Sequence, residues 1–219
     1  MRHKGYLFCL SFSILAGCAG IKLEDSIYIL DDKLSVSYMN IDDALKYKRS
    51  KLLFSGEKKA SDCNSYLALA SKRSIEESIH NQQVKSEYLI CDALKILSDA
   101  SGVSAEKVKT IDLGDEILSK LDLRTFPSSL SRVGSDVSHT LKALYPNQTS
   151  YIDNVAELET EEWTFTVEVV ALAKINDNSA PDWVVWVFDE SKSGNYRGYS
   201  TIILYDPEES EVFRAEKYP

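Results

Sequence analysis

The sequence predicts an α+β fold, helices first and an antiparallel sheet after them. Three patterns carry that expectation. Apolar residues recur at helical spacing, most clearly in Val84, Tyr88, Cys91, Leu94 and Leu97. Trp163, Phe165, Val167 and Val169 alternate with Thr164, Thr166 and Glu168, the period of a strand with one buried face. Trp183-Val184-Val185-Trp186-Val187-Phe188 is apolar at every position, as a strand covered on both faces must be. Helical patterns occupy 40–144 and strand patterns 160–216, and one domain over 25–219 accommodates both.

The chain opens with the three parts of a secretory leader. Arg2, His3 and Lys4 are basic, Tyr6 to Leu15 is an apolar run of about ten residues, and Ala16 and Gly17 are small. That run is too short to span a bilayer. Leu15-Ala16-Gly17-Cys18 resembles the lipobox of bacterial lipoproteins. The resemblance implies removal of residues 1–17, a lipid on the Cys18 sulfur, and acylation of the new amino terminus. Two or more acyl chains hold a protein stably at a membrane. Residues 18–24 would be the tether. The residue after the cysteine is Ala19 and not Asp, which in this family points to the outer membrane, facing the periplasm.

Without the leader 202 residues remain, enough for a sizeable core. The whole chain has 25 basic and 34 acidic residues and a net charge of −9; loss of Arg2 and Lys4 leaves 23 against 34, or −11. Such a charge disfavours nucleic acid and anionic lipid heads, so membrane contact falls to the lipid. An apolar content of 44% argues for a folded chain. Cys9 belongs to the leader and Cys18 to the lipid, which leaves Cys63 and Cys91 in a compartment where disulfides persist.

Asp25 to Met39 reads as a hairpin or two extended segments, from Ile27-Tyr28-Ile29-Leu30 and Leu34-Ser35-Val36-Ser37-Tyr38. Asn40 or Asp42 caps a helix from about Asp43 to Phe54, with Gly56 as its stop. Ser61 or Asp62 caps the next, where Cys63, Tyr66, Leu67 and Ala70 share a face. A polar gap from Ser71 to Gln83 precedes the stripe that ends near Gly102. In one long helix, Cys63 and Cys91 would lie about 42 Å apart. In a helical hairpin turning near Glu77 they fall opposite one another, and a bridge becomes possible. Two small buried thiols are the bland alternative. Short helices follow near Ser104 to Lys109, Asp115 to Leu121 and Val137 to Leu144; Phe126-Pro127-Ser128-Ser129 is a break.

Beyond Trp163 the chain predicts an antiparallel meander of three to four strands, with Tyr199 to Tyr205 as the third and Glu211 to Glu216 as a short edge. The first turn, Ala173 to Trp183, resembles the calcium-loop hairpins of FG-GAP and VCBS-type repeats. That likeness puts Asn176, Asn178 and Asp182 at ligand positions. Lys174 stands where the first carboxylate should be and Ser179 replaces the usual glycine, so the hairpin is expected without the ion.

Trp163, Trp183 and Trp186, with Tyr196, Tyr199 and Tyr205, read as core or as a stacking platform. No serine-hydrolase elbow, metalloprotease helix, P-loop or dinucleotide fingerprint occurs. Ser55-Gly56-Glu57-Lys58 and Ser104-Ala105-Glu106-Lys107 match an S-x-x-K nucleophile pattern but lack its companion motifs, and His80 and His139 have no metal partner at ligand spacing. The expectation is a non-enzymatic envelope lipoprotein without cofactor or metal, binding or assembling with an envelope protein. The alternative is a periplasmic hydrolase, or an inhibitor of one, acting at the cell wall.

Overall fold

The computed structural model describes residues 25–109 and 112–218; Cys18 and the rest of the lipobox lie outside the described residues. Two short elements come first, β1 (Tyr28–Ile29) and α1 (Asp32–Met39). The alternation Leu34 to Tyr38 is therefore helical and not extended. Asp31 accepts a hydrogen bond from Leu34 N at 2.6 Å, an N-cap that starts the helix, and Leu34 is fully buried. Next come α2 (Ile41–Lys46), β2 (Leu52–Phe54) and β3 (Lys58–Ala60). The expected helix from Asp43 to Phe54 is thus cut short. Leu52 and Phe54 are buried by pairing with Ala60 and Lys58, and Gly56 (φ 75°) with Glu57 (φ 60°) makes the left-handed turn between them.

The disulfide pairs Cys63 with Cys91, with Cα atoms 5.1 Å apart. Cys63 opens α3 (Cys63–Ala70), capped by Asp62 and Ser65 in a reciprocal box. The return arm is not one helix. It runs as α4 (Ile79–Val84), a 3₁₀ turn (Lys85–Tyr88) and α5 (Leu89–Asp99). Asn81 explains the break. Its buried amide accepts from Leu53 N at 2.9 Å and donates to Leu53 O at 2.8 Å and Glu76 O at 2.7 Å. It thereby completes the edge of β2 in the manner of a strand residue. The polar stretch before it also pairs with β2, through Ser55 N to Ser74 O and Glu76 N to Leu53 O.

A 3₁₀ turn at Ala105–Lys107, α6 (Leu113–Lys120), another 3₁₀ turn at Leu123–Thr125 and α7 (Leu141–Leu144) lead to the sheet. Its strands are β4 (Thr149–Ile152), β5 (Val155–Glu159), β6 (Trp163–Ala173), β7 (Asp182–Ser191), β8 (Arg197–Leu204) and β9 (Ala215–Lys217). They are hydrogen-bonded in sequence order, and β1 pairs with β6 to make seven strands, all antiparallel. The α+β class holds, with more strands than the sequence patterns indicated. The β4–β5 hairpin was hidden because only Ala156 and Leu158 of it are buried.

Both faces of the sheet are covered. Leu113, Ile117 and Leu118 of α6 pack on Phe165, Val167, Trp183, Val185 and Ile202. Leu89, Ala93, Leu94 and Leu97 of α5, with Leu34, pack on Val170, Ala171, Val184, Trp186 and Ile203. A β-bulge between Val169 and Ala171 makes the double cover possible. It puts Val170 and Ala171 on one face in succession while Val169 and Leu172 keep the other. A third, smaller core joins β2, β3 and α3 to Tyr88 and Cys91.

The bridge closes a loop with a sequence separation of 28, which corresponds to roughly 3–4 kcal/mol of chain entropy. Replacing both cysteines by alanine should lower the urea midpoint by an amount equivalent to ~3 kcal/mol while the far-ultraviolet circular dichroism of the native state is kept.

Candidate functional site

A cleft runs between the stapled helical lobe and the outer edge of β8. Its floor and walls come from Tyr66 of α3, Glu77 and Asn81 before and within α4, Lys85 of the 3₁₀ turn, and Tyr196, Arg197 and Lys217 of the sheet side; its volume is about 640 Å³. A neighbouring hollow of about 380 Å³ continues along Gly198, Tyr199 and Ser200. The cleft exists because β9 covers β8 only from Ile202 to Leu204. Tyr218 N adds one bond to Thr201 O at 3.0 Å. Antiparallel alternation then turns the N–H and C=O of Tyr199 to the same side as those of Thr201, on the edge of β8 that β9 leaves unpaired beside the hollow. An uncovered edge of this kind can accept an extended segment.

At the bottom sits a small pocket of about 40 Å³, walled by Tyr66, Tyr88, Tyr199 and Tyr218 with Asp92 in its base. Asp92 is 5% exposed. Its Oδ2 accepts from Thr201 Oγ1 at 3.1 Å, and its Oδ1 is buried without a hydrogen bond. Burial pushes the Asp92 carboxyl up to about 7, against the opposing pull of Tyr66, Thr201, Lys85 and Lys217. Burial also lowers the proton affinity of the Lys85 ammonium, and the nearby Lys217 lowers it further. Tyr88 is pushed up to about 12, chiefly by burial, with its hydroxyl held at 2.6 Å from Ser50 O and 3.1 Å from Ala60 O. The Tyr199 hydroxyl donates to Glu190.

One end of the cleft is held by Asp189, which is 2% exposed and carries four donors. Ser129 N (2.6 Å), Ser129 Oγ (2.7 Å), Trp163 Nε1 (2.6 Å) and the Tyr196 hydroxyl (3.1 Å) all converge on it. Tyr196 also packs on Trp163, with ring centroids 5.4 Å apart. Asp189 therefore ties the 127–129 segment to the wall of the cleft.

Of the residues singled out in the sequence, Tyr196 and Tyr199 line the cleft and its pocket, and the others lie elsewhere. Cys63 and Cys91 sit in the lobe behind the cleft as a closed bridge. The Asn176–Asp182 turn is the hairpin between β6 and β7, closed on its own hydrogen bonds. Asp182 accepts from Ile175 N (2.8 Å), Asn176 N (3.1 Å), Asn176 Nδ2 (3.3 Å) and Asp206 N (3.1 Å), so both its oxygens are occupied by protein donors. Asn178 Nδ2 reaches Asp206 at 2.7 Å, and Lys174 pairs with Asp25 at 3.0 Å. Trp183 is buried edge-on against Phe213. Lys107 donates to Ser179 at 2.8 Å, and His80 Nε2 lies 2.6 Å from Lys51 O. Among the described residues no group of three or more His, Cys, Asp or Glu is placed to hold a metal ion, and no helix is long and apolar enough to cross a membrane.

Asp92, Lys85 and Lys217 were not found from the sequence. One signal existed: Asp92 is a charge inside the apolar stripe Tyr88, Cys91, Leu94. Its partner Thr201 is 109 positions away, so spacing alone could not pair them. No family model, no curated protein and no solved structure matches the chain.

Removing the Asp189 carboxylate leaves its buried donors without an acceptor. Asp189→Ala should destabilise by about 3 kcal/mol in urea unfolding, and Asp189→Asn by clearly less, because the amide oxygen still accepts. Asp92 gives a pH dependence with a defined sign. Its pKa is raised on folding, so its contribution to stability is complete below the ordinary carboxyl value of 3.8 and is lost as pH rises through about 7. Asp92→Asn should be more stable than wild type by ~2–4 kcal/mol near pH 8, a gap that closes below about pH 4. A gap constant with pH would show that Asp92 does not titrate in this way.

Proposed function

We propose that this chain is an envelope lipoprotein, tethered through lipid on Cys18 at the outer membrane and facing the periplasm. Its folded part is a non-enzymatic binding module. The observation that carries the binding role is the cleft beside β8. It joins an uncovered strand edge to a floor with a buried, half-satisfied carboxylate and a rim containing Lys85 and Lys217. The leader and Leu15-Ala16-Gly17-Cys18 support the tether. A protein segment from another envelope component, extended along Tyr199 and held by backbone hydrogen bonds, is the occupant this edge suits.

A periplasmic hydrolase acting at the cell wall, or an inhibitor of one, is the second reading. Asp92 favours it, since a carboxyl held near neutrality beside an amine is suited to proton transfer. Loss of cell-wall hydrolysis in Asp92→Asn, with the fold retained, would move the assignment to the enzyme.

Cys18→Ser should shift the protein from the membrane fraction to the soluble fraction. A photo-crosslinking residue at position 196 or 82, in the cleft, should trap an envelope protein in cells carrying the anchored form. The same residue at position 137, which is 94% exposed, should not. Equal yields from both places would remove the cleft as the binding face.

A further inference from the structure

We propose that the pocket beneath the cleft binds an α-amino carboxylate: an ammonium and a carboxylate on one carbon, seated against Asp92, Lys85 and Lys217. This rests on the reading of the cleft as a binding face and names the chemistry of its deepest part.

The pocket makes two opposite demands. At its base Asp92 Oδ1 is buried outside hydrogen-bond distance of any donor, with the Tyr66 hydroxyl the nearest group that stabilises the carboxylate. Such an acceptor costs about 1–3 kcal/mol until a donor reaches it. At its mouth are two cations. Lys85 and Lys217 line the small pocket, the main cleft and the adjoining hollow alike, which puts them where the three spaces meet. Among the described residues both ammoniums feel the Asp92 charge at a distance, and neither is within ion-pair reach of a carboxylate. The other basic residues of the cleft are engaged: Arg73 donates to Ser55 O at 3.1 Å, and Arg197 to Tyr196 O at 2.7 Å. A ligand must therefore bring a donor inward and a negative charge outward.

A simple amine would satisfy Asp92 but meet two like charges. A simple carboxylate would satisfy the lysines but face Asp92. A group carrying both on one carbon meets each demand at once and leaves the local charge unchanged. Size agrees. About 40 Å³ holds roughly three waters, or the ammonium and α-carbon of such a group. The rings of Tyr66, Tyr88, Tyr199 and Tyr218 supply the apolar and cation–π walls that suit an alkylammonium. The ligand's side chain would leave through the mouth into the larger cleft, so the pocket recognises the head group and the cleft reads what is attached to it. Two sources share this chemistry: a free amino acid, and an amino-acid centre carried at the end of a larger molecule.

The test is calorimetric titration of the detergent-solubilised full chain with racemic alanine, propionate, ethylamine, and 2,6-diaminopimelate acylated on one nitrogen. At least one α-amino carboxylate should bind, with propionate and ethylamine weaker by roughly tenfold or more. Binding of alanine assigns the free amino acid; binding of only the acylated diamino diacid assigns a group on a larger ligand. Asp92→Asn and Lys85→Met should each weaken that binding by roughly tenfold with unchanged circular dichroism. If either fails to fold, Lys217→Met, at an exposed position, provides the same reading. Propionate or ethylamine binding as well as the zwitterion would overturn the proposal. So would the absence of binding by either α-amino carboxylate at about 10 mM. Those failures leave the cleft reading standing if crosslinks from position 196 persist, and both readings fall if they do not.

Discussion

Burial of β6, β7 and β8 on both faces is the constraint on which the rest of the molecule depends. A strand covered on both sides needs a layer of cover from each direction, and here the cover comes from separate parts of the chain. The amphipathic α5 and the buried Leu34 supply one layer, and α6 with α7 and Phe126 the other. The bulge at Val169–Ala171 lets β6 serve both layers, because it resets which residues face which side. Asn154 stabilises the bulge by accepting from Val169 N at 3.0 Å and donating to Val169 O at 2.8 Å. The β4–β5 hairpin that carries Asn154 is thus part of the same solution. Gly114 lets α6 approach it, since a Cβ there would lie 2.5 Å from Val155 O.

Three of the four buried aspartates among the described residues show how differently one functional group can be accommodated. Asp182 closes the β6–β7 hairpin, and Asp189 ties the 127–129 segment to the sheet. Each gathers four donors, as burial of a charge requires. Asp92 accepts from Thr201 on one oxygen, and its other oxygen has only the more distant Tyr66 hydroxyl nearby. The first two are explained by architecture. Asp92 is not, and it lies in the base of a pocket next to the cleft beside the stapled lobe. The disulfide matters here because it fixes α3, and with it Tyr66, against α5, which carries Asp92.

How far residues could be read depended on the range of the interaction that determined them. The strands from Trp163 to Leu204 were legible because two-sided and one-sided burial leave distinct periods in ten residues or fewer. The bridge was legible because assigning Cys9 to an expected leader and Cys18 to an expected lipid site left one pair of cysteines. The hairpin at Asn176–Asp182 was legible as a turn, whereas its closure by Asp206 N was not. Leu34 to Tyr38 alternates like a strand, yet the cap at Asp31 and the packing of Leu34 make it a helix. Leu52 to Phe54 lay inside an expected helix, and became a strand because Ala60, Lys58 and Asn81 pair with it. The cleft was illegible for the same reason: Lys85, Asp92, Tyr199 and Lys217 meet only after α5, β8 and β9 are assembled.

By itself the sequence determined the α+β order and the covered central strand, and raised the expectations of a Cys63–Cys91 bridge and of a lipid tether at Cys18. These rest on local periodicity, on a contiguous motif, or on a short list of cysteines. Tertiary structure decided the seven-stranded extent of the sheet, the break at Asn81 and the uncovered edge of β8. It also decided that Asp92 stands in a pocket with one carboxylate oxygen outside hydrogen-bond distance of any donor. Backbone edges and buried charges find partners across the whole chain, and their energies are set by what lies within a few ångströms in space, whatever the separation along the sequence.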